Sequence, residues 1–168
     1  MSCIRLLFGR PAIRDSAGLL SALRGLQDRH CCIVQALDAD LVVSERHILF
    51  AVKKALSAIS EGRNIAKDPG MEIMRYASGE RQIERALDMG ISDSTERIAL
   101  VLVSPCDTDL PDSLDLSCVI EQDGMGCSYS REAVMEAFNI SREELEAAGE
   151  GRIEDLVIER VALVDTYR

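Results

Sequence analysis

The hydrophobic and polar positions near the start of the chain predict a strand, a helix and a second strand. Cys3 to Phe8 is a short apolar run closed by a turn at Gly9. Leucines then recur at helical spacing behind a possible cap at Asp15 or Ser16. Cys31 to Leu37 is another apolar run of strand length. This order is typical of a layered domain in which helices cover a sheet.

The middle of the chain continues this alternation. Ser44 is a good helix cap, and the apolar stripe that follows it ends near Gly62. Met71 to Ala77 alternates apolar and polar residues, which predicts a strand. An amphipathic helix ended by Gly90 comes next. Ile98 to Val103 is apolar throughout, so it is the best candidate for a central strand.

The last third of the chain predicts loops followed by helices. Pro105 to about Met125 is loop-rich, with one short helical or strand piece around Leu114 to Ile120. Ser130 caps one helix, and Ser141 to Glu144 matches the capping box of another. The final helix runs from about Ile153 to Val164.

The final helix is apolar on more than one face. Most of its apolar side chains cluster on one side at 100° per residue, while Ile158 and Ala162 lie on the opposite side. A helix of this kind needs a second cover. Either it is fully buried in its own domain, or a partner protein completes the burial, with Ile158 and Ala162 as the contacts.

These elements predict an α+β (mixed α/β) fold. We expect residues 1–168 to form a single layered domain, in which several helices pack on a small mixed sheet. No apolar run approaches the roughly 20 residues of a membrane span, so we expect a cytoplasmic protein without membrane contact. The six cysteines form no C-x-x-C pair, and their apolar neighbours favour buried free thiols.

One segment differs in charge from the rest of the chain. From Arg46 to Arg85, eight Lys or Arg face five acids, so the segment has a net charge of +3 in a protein of net −10. The remainder therefore carries −13. A positive patch on an acidic body attracts a phosphate-bearing partner to one place and repels it elsewhere.

The sequence contains no convincing catalytic constellation. His30 and His47 lie in separate elements outside any metal-binding spacing, and we expect His30 at a helix end and His47 on the surface. Gly124-Met125-Gly126 lacks the third glycine and the lysine of a phosphate loop, which favours a flexible turn. We therefore expect no enzyme activity, no catalytic or metal-ligating residue and no cofactor.

The corner from Ser78 to Gln82 is the strongest candidate site. A strand that opens into a helix through small residues presents free backbone N–H groups to an anion, and Arg81 can add a bidentate contact. Arg63 to Lys67 precedes the same predicted strand, so it lies at the other end of that strand unless the loop folds back. The alternative interpretation is structural: Ser78 caps the helix, and Arg81 pairs with a neighbouring glutamate.

Two stretches resemble a known family. RNIAK at residues 63–67, followed by SGERQIERAL and a closing MGI, is similar to the small kinase-binding subunit of the KEOPS (EKC) complex, the TPRKB-like family, in its archaeal type. FNISREELEAAGEG, which begins at Phe138, supports the resemblance. The order of strands and helices is compatible over nearly the whole chain.

The resemblance implies a non-catalytic accessory subunit. Such a protein binds the kinase/ATPase subunit of the complex, which makes threonylcarbamoyladenosine in tRNA, and archaeal members also hold the 3′ CCA end of the tRNA. Carried onto the matching positions, the tRNA-facing candidates are Arg63, Asn64, Lys67, Ser78, Gly79, Arg81 and Gln82. Backbone amides and arginines would take phosphates, and the amide side chains would contact base edges or ribose hydroxyls.

A second hypothesis belongs to another functional class. The Ser78 to Gln82 helix N-terminus could bind the phosphate of a small molecule, which would make the protein an enzyme or a sensor. A cysteine such as Cys106 or Cys127 would then react. Binding of phosphorylated metabolites would distinguish this hypothesis from the first.

Overall fold

A computed structural model describes residues 3–104, 110–111 and 114–166 of the chain. These residues form two compact units. The sheet unit comprises the residues up to Ala39 together with Ile91–Gly126, and the helical unit comprises Asp40–Gly90 together with the residues from Cys127 onward. The α+β class is confirmed. A single domain over the whole chain stays a prediction.

The described residues of the sheet unit form four strands. They are β1 (Cys3–Pro11), β2 (Ile33–Asp38), β3 (Ile98–Ser104) and β4 (Ile120–Gln122), in the order β2-β3-β1-β4. Every pairing is antiparallel, so the sheet is not mixed as predicted. β3 is buried along its whole length, which confirms it as a central strand.

Helix α1 (Ser16–His30) covers one face of the sheet. Asp15 caps it by accepting a hydrogen bond from the backbone N–H of Gly18, as one of the two predicted caps. His30 is the last residue of α1, as expected. The buried residues of the core are Leu19, Leu23 and Leu26 of the helix with Val34, Ala36, Ile98, Leu100 and Leu102 of the strands.

The helical unit contains the remaining helices. They are α2 (Glu45–Ser60), α3 (Pro69–Ala77), α4 (Ile83–Ala86), α5 (Arg131–Ala137), α6 (Arg142–Ala148) and α7 (Ile153–Leu163). Ser44, Ser130 and Ser141 cap α2, α5 and α6 as predicted, each accepting a backbone hydrogen bond from three residues further on. A core of Val134, Phe138, Ile140, Leu145, Ile153, Leu156 and Val157 joins α5, α6 and α7.

The predicted strand from Met71 to Ala77 is wrong, because this segment is helix α3. Asp68 caps it by accepting from the backbone N–H of Met71, and Pro69 occupies the first turn, where no N–H is needed. The apparent alternation arose from Glu72 and Arg75, which are polar and yet buried. They form an ion pair at i,i+3, which is a helical spacing. In the sequence this spacing is easily mistaken for the alternation of a strand.

Smaller differences concern strand ends and cysteines. β2 begins at Ile33 rather than Cys31, because Cys31 ends α1 in the left-handed conformation with φ 48°. The segment around Leu114 to Ile120 consists of turns until β4 begins at its last residue. The five described cysteines are free thiols, but Cys31 and Cys118 are exposed, so burial was wrongly predicted for these two. Cys106 lies outside the described residues.

Candidate functional site

The loop from Arg63 to Lys67, which we call the basic loop, is held in shape by one buried carboxylate. Glu72 Oε2 accepts a hydrogen bond of 2.9 Å from the backbone N–H of Ala66, and Oε1 lies 3.4 Å from the backbone nitrogen of Ile65. Asn64 Nδ2 donates to the carbonyl of Ala66 at 2.9 Å. The buried Glu72 therefore fixes the loop from inside the protein. The side chain of Asn64 stabilises the same loop through its hydrogen bond to Ala66.

The same carboxylate pairs with a buried arginine. Arg75 donates to Glu72 through two atoms, with Nη2 at 2.6 Å from Oε1 and Nε at 3.1 Å from Oε2. The guanidinium also lies over the ring of Tyr76, 4.7 Å from its centroid. A buried carboxylate is tolerated only when its oxygens are satisfied, and Glu72 meets this condition with backbone and guanidinium donors.

Three donors converge on Asp165, just beyond the end of α7. The hydroxyl of Tyr76 donates to Oδ1 at 2.5 Å, and Lys54 Nζ lies 2.7 Å from Oδ2. Arg63 Nη1 lies 3.7 Å from Oδ1, while its Nε donates to Glu61 at 2.5 Å. We call Lys54, Arg63, Tyr76 and Asp165 the carboxylate cluster.

The protonation states in the carboxylate cluster follow from these contacts. Burial alone would raise the pKa of Asp165, but hydrogen bonds from Lys54 and Tyr76 hold that pKa below its ordinary value. Burial and the bond to Asp165 raise the pKa of Tyr76 to about 12. At neutral pH Asp165 is therefore an anion and Tyr76 a hydrogen-bond donor.

The second predicted group of residues lies at the other end of α3. Ser78 ends the helix: its Oγ donates to the carbonyl of Arg75 at 2.8 Å and accepts from the backbone N–H of Glu80 at 3.2 Å. Ser78 is buried, whereas Arg81 and Gln82 are exposed. At about 1.5 Å per residue, the nine residues of α3 separate this group from the basic loop by about 13 Å. The seven candidates thus form two groups rather than one.

Gly79 adopts a conformation that few other residues tolerate. Its φ of +70° lies in the left-handed region, and a Cβ at this position would stand 3.0 Å from Cβ of Arg160. Arg160 in turn donates to the carbonyls of Phe138 and Asn139 and pairs with Glu144. Gly79 therefore serves a close approach of the backbone to α7.

The predicted strand-to-helix anion corner is wrong in its geometry. α3 is a helix, so Ser78 stands at a helix C-terminus, and α4 is only four residues long. Gln82 precedes α4 without a side-chain capping bond. Nearby, Ser78, Glu80, Arg85 and Met89 line a cavity of about 60 Å³. Small-molecule pockets have volumes of roughly 300–1,000 Å³, so this cavity does not favour the small-molecule hypothesis.

His47 is buried, so its predicted place on the surface is wrong. Its Nε2 lies 2.7 Å from the carbonyl of Ala77, and its Nδ1 lies 3.4 Å from the backbone nitrogen of Val43. A carbonyl only accepts, so Nε2 carries the hydrogen and Nδ1 accepts. Burial lowers the pKa of His47 to about 4, despite the bond to Ala77 and the charge of Glu154.

Ion pairs reduce the positive patch that the sequence suggests. Ion pairs join Arg46 to Glu154 and Asp155, Lys54 and Arg63 to Asp165, and Arg75 to Glu72. The side chains of Lys53, Lys67, Arg81 and Arg85 are exposed. The charge count did not anticipate the pairs with Glu154, Asp155 and Asp165, because these acids lie far away along the chain and give no local signal.

Helix α7 has one buried face and one partly exposed face. Ile153, Leu156, Val157 and Val161 are buried, whereas Ile158 and Ala162 are half-buried and Leu163 is exposed. The two predicted partner contacts therefore retain accessible apolar surface within the helical unit. Over the described ranges, no helix combines the length and apolar character needed to cross a bilayer. In the same residues, no group of three His, Cys, Asp or Glu side chains could hold a metal ion.

The fold and these surfaces define an α+β protein whose candidate groups are suited to contact a partner. The family model of the kinase binding protein CGI-121 matches residues 12–165, so the chain belongs to this family. The resemblance to the TPRKB-like KEOPS subunits is thereby confirmed. A search of curated proteins gives no match. A kinase-binding accessory role is consistent with the family's described property.

Proposed function

We propose that this protein is the accessory subunit of the KEOPS complex, which makes threonylcarbamoyladenosine in tRNA. In this role it binds and regulates the small kinase/ATPase subunit, performs no catalysis itself and acts in the cytoplasm. The observation that carries the proposal is membership of a kinase-binding family over residues 12–165. The partly exposed apolar residues of α7 support a protein contact, because half-buried apolar surface is available there.

We also propose that the protein recruits tRNA through its 3′ CCA end. The basic loop supports this role because it is fixed in shape and Lys67 is exposed. At the other end of α3, Arg81 and Gln82 are exposed as well. A span of about 13 Å between the two groups is comparable to a few nucleotides of single strand. Weak contacts of this kind suffice in an assembly, because linked sites raise overall avidity.

The direct test compares full-length tRNA with tRNA that lacks its 3′ CCA, each titrated with the protein alone and with the protein–kinase complex. We expect the truncated tRNA to bind at least tenfold more weakly, because the single-stranded contacts are lost. Equal affinities would refute the tRNA proposal. Failure to co-purify with the kinase would refute the kinase proposal independently.

We expect Arg81→Ala to weaken tRNA binding about tenfold, because a charge-assisted contact to a phosphate is removed. The slope of log affinity against log salt should become shallower by about 0.7, the value for one phosphate contact on a single strand. Kinase binding should not change. The matched control is Arg142→Ala, which removes an exposed arginine of α6. A fall in the melting temperature of Arg81→Ala without a change in affinity would assign Arg81 a structural role instead.

We expect Ile158→Asp to weaken kinase binding about tenfold or more while tRNA binding by the isolated protein is retained. A charge placed in an apolar interface loses burial and adds an unpaired group. Isothermal titration with the kinase measures the effect. Leu20→Asp, which changes an exposed leucine of α1 in the sheet unit, is the control. If Ile158→Asp binds the kinase with unchanged affinity, the kinase does not contact this face of α7.

A further inference from the structure

The carboxylate cluster has the chemistry of an anion site that already holds an anion. An ammonium, a guanidinium and a hydroxyl converge on the two oxygens of Asp165. A phosphodiester also presents two equivalent oxygens that share one negative charge. The same three donors can therefore receive either group, since arginine, lysine and hydroxyl side chains are common phosphate partners.

Three members of the cluster are partly exposed to solution. The exposed fractions of the side chains are 30% for Lys54, 29% for Arg63 and 21% for Asp165. Tyr76 is fully buried, so its hydroxyl can reach a ligand only in the place that Asp165 now occupies. Ion pairs that are partly exposed are weakened by solvent and salt compared with fully buried pairs. An incoming phosphate of similar geometry can therefore compete with Asp165 without first breaking a buried pair.

The donors and the carboxylate are held by different parts of the helical unit. Lys54 is on α2, Tyr76 is on α3, and Arg63 begins the basic loop that Glu72 fixes from inside. Asp165 instead lies two residues beyond the last residue of α7, in a turn closed by a hydrogen bond from the backbone N–H of Thr166 to the carbonyl of Leu163. Withdrawal of Asp165 thus requires only a change in this turn, and the three donors keep their positions.

We propose that Lys54, Arg63 and Tyr76 form a binding site for a backbone phosphate of RNA, and that Asp165 occupies this site in the free protein as an internal competitor. The inference rests on the proposed function, since it assigns the phosphate to the bound tRNA end. It adds two residues, Lys54 and Tyr76, that the sequence motifs did not single out. It also gives Asp165 a regulatory role: it lowers the affinity for RNA until a suitable phosphate displaces it.

The test is a fluorescence-anisotropy titration of labelled tRNA with the full-length protein and its variants. We expect Asp165→Asn to bind about fivefold more tightly, because the competing charge is gone while the side-chain volume remains. Its salt slope should steepen by about 0.7, equal to one additional phosphate contact. Adding Lys54→Met to Asp165→Asn should abolish the gain. Asp165→Ser repeats the charge removal with a smaller side chain, and thermal melts verify the folding of each variant.

Asp155→Asn is the matched control, because it also removes an aspartate that pairs with cations, here Arg46 and Arg152. We expect its affinity to stay within twofold of the wild type. If Asp165→Asn and Asp165→Ser bind no more tightly than Asp155→Asn, or if the gain survives Lys54→Met, the proposal is overturned.

A parallel arm with inorganic phosphate separates this inference from the function on which it rests. In thermal-shift measurements, phosphate should stabilise Asp165→Asn more than Asp155→Asn, since only the former opens the site. If no variant binds tRNA, the proposed tRNA recruitment fails, and with it the assignment of the ligand to RNA. If phosphate then still raises the melting temperature of Asp165→Asn more than that of Asp155→Asn, the ligand is free phosphate. If it does not, the proposed anion site is refuted.

Discussion

Replacement of Glu72 by Gln is expected to lower the free energy of unfolding by about 3 kcal/mol, the largest effect of any single change considered for this protein. The substitution keeps the side-chain volume but removes the charge that balances the buried guanidinium of Arg75. Removing one member of a buried ion pair costs about 3–5 kcal/mol, because the remaining charge has no compensation. Glutamine keeps only one accepting oxygen, so its NH2 group faces the backbone N–H of either Ala66 or Ile65, in each case together with a guanidinium donor.

Urea unfolding followed by circular dichroism measures this change. Glu61→Gln is the control, since Glu61 is exposed and pairs with Arg63 at the surface; we expect nearly wild-type stability for it. Proteolysis should detect earlier cleavage within residues 63–67 in Glu72→Gln. An unfolding midpoint equal to that of Glu61→Gln would show that the Glu72–Arg75 pair contributes no net stability.

The protein is expected to lose about 3 kcal/mol of stability through His47 as the pH falls from 6.5 to 4. In the folded protein burial lowers the pKa of His47 to about 4, whereas in the unfolded chain it is near 6.5. Between these values the unfolded chain binds a proton that the folded protein does not, so stability rises with pH in this window. Below pH 4 both states are protonated, and the loss through His47 is complete.

Chemical denaturation at half-unit pH intervals measures this dependence. His47→Gln offers one donor for the carbonyl of Ala77 and one acceptor for the N–H of Val43 without titrating in this range. We expect the variant to be less stable at pH 7. Between pH 6.5 and 4.5 the slope of its free energy of unfolding against pH should be smaller, by an amount that corresponds to the uptake of at most one proton on unfolding. If the free energy of unfolding has the same pH slope in both proteins, His47 does not cause the loss of stability at acid pH.

Local chemistry explains which features the sequence predicted well. The caps at Ser44, Ser130 and Ser141 depend on a hydrogen bond to a backbone N–H three residues away, so the necessary information lies within one turn. The central strand β3 was equally evident, because the six buried residues from Ile98 to Val103 produce an uninterrupted apolar run. The family resemblance likewise depended on short motifs.

The errors have a common cause in partners that are distant or concealed. The strand predicted over Met71 to Ala77 is wrong because Glu72 and Arg75 are charged and yet buried. Their spacing in the sequence reflects the ion pair between them and not exposure to solvent. His47 was assigned to the surface because only the folded chain brings the carbonyl of Ala77 to its ring. Asp165 escaped notice altogether, since it lies 89 residues from Tyr76 along the chain.

The arrangement of the candidate site differs from the predicted one, while the role of its residues stays a prediction. RNIAK and SGERQ flank α3. A strand of seven residues would separate its ends by roughly 23 Å, whereas helix α3 brings the two groups within about 13 Å. The error in secondary structure thus placed the two halves of the candidate surface too far apart.

Gly79 lies close to Arg160, a residue that is remote from it in the sequence. A side chain there would press on Cβ of Arg160, whose guanidinium holds the carbonyls of Phe138 and Asn139 and the carboxylate of Glu144. The stretches SGERQ and FNISREE therefore meet at this arginine, although they are far apart in the sequence.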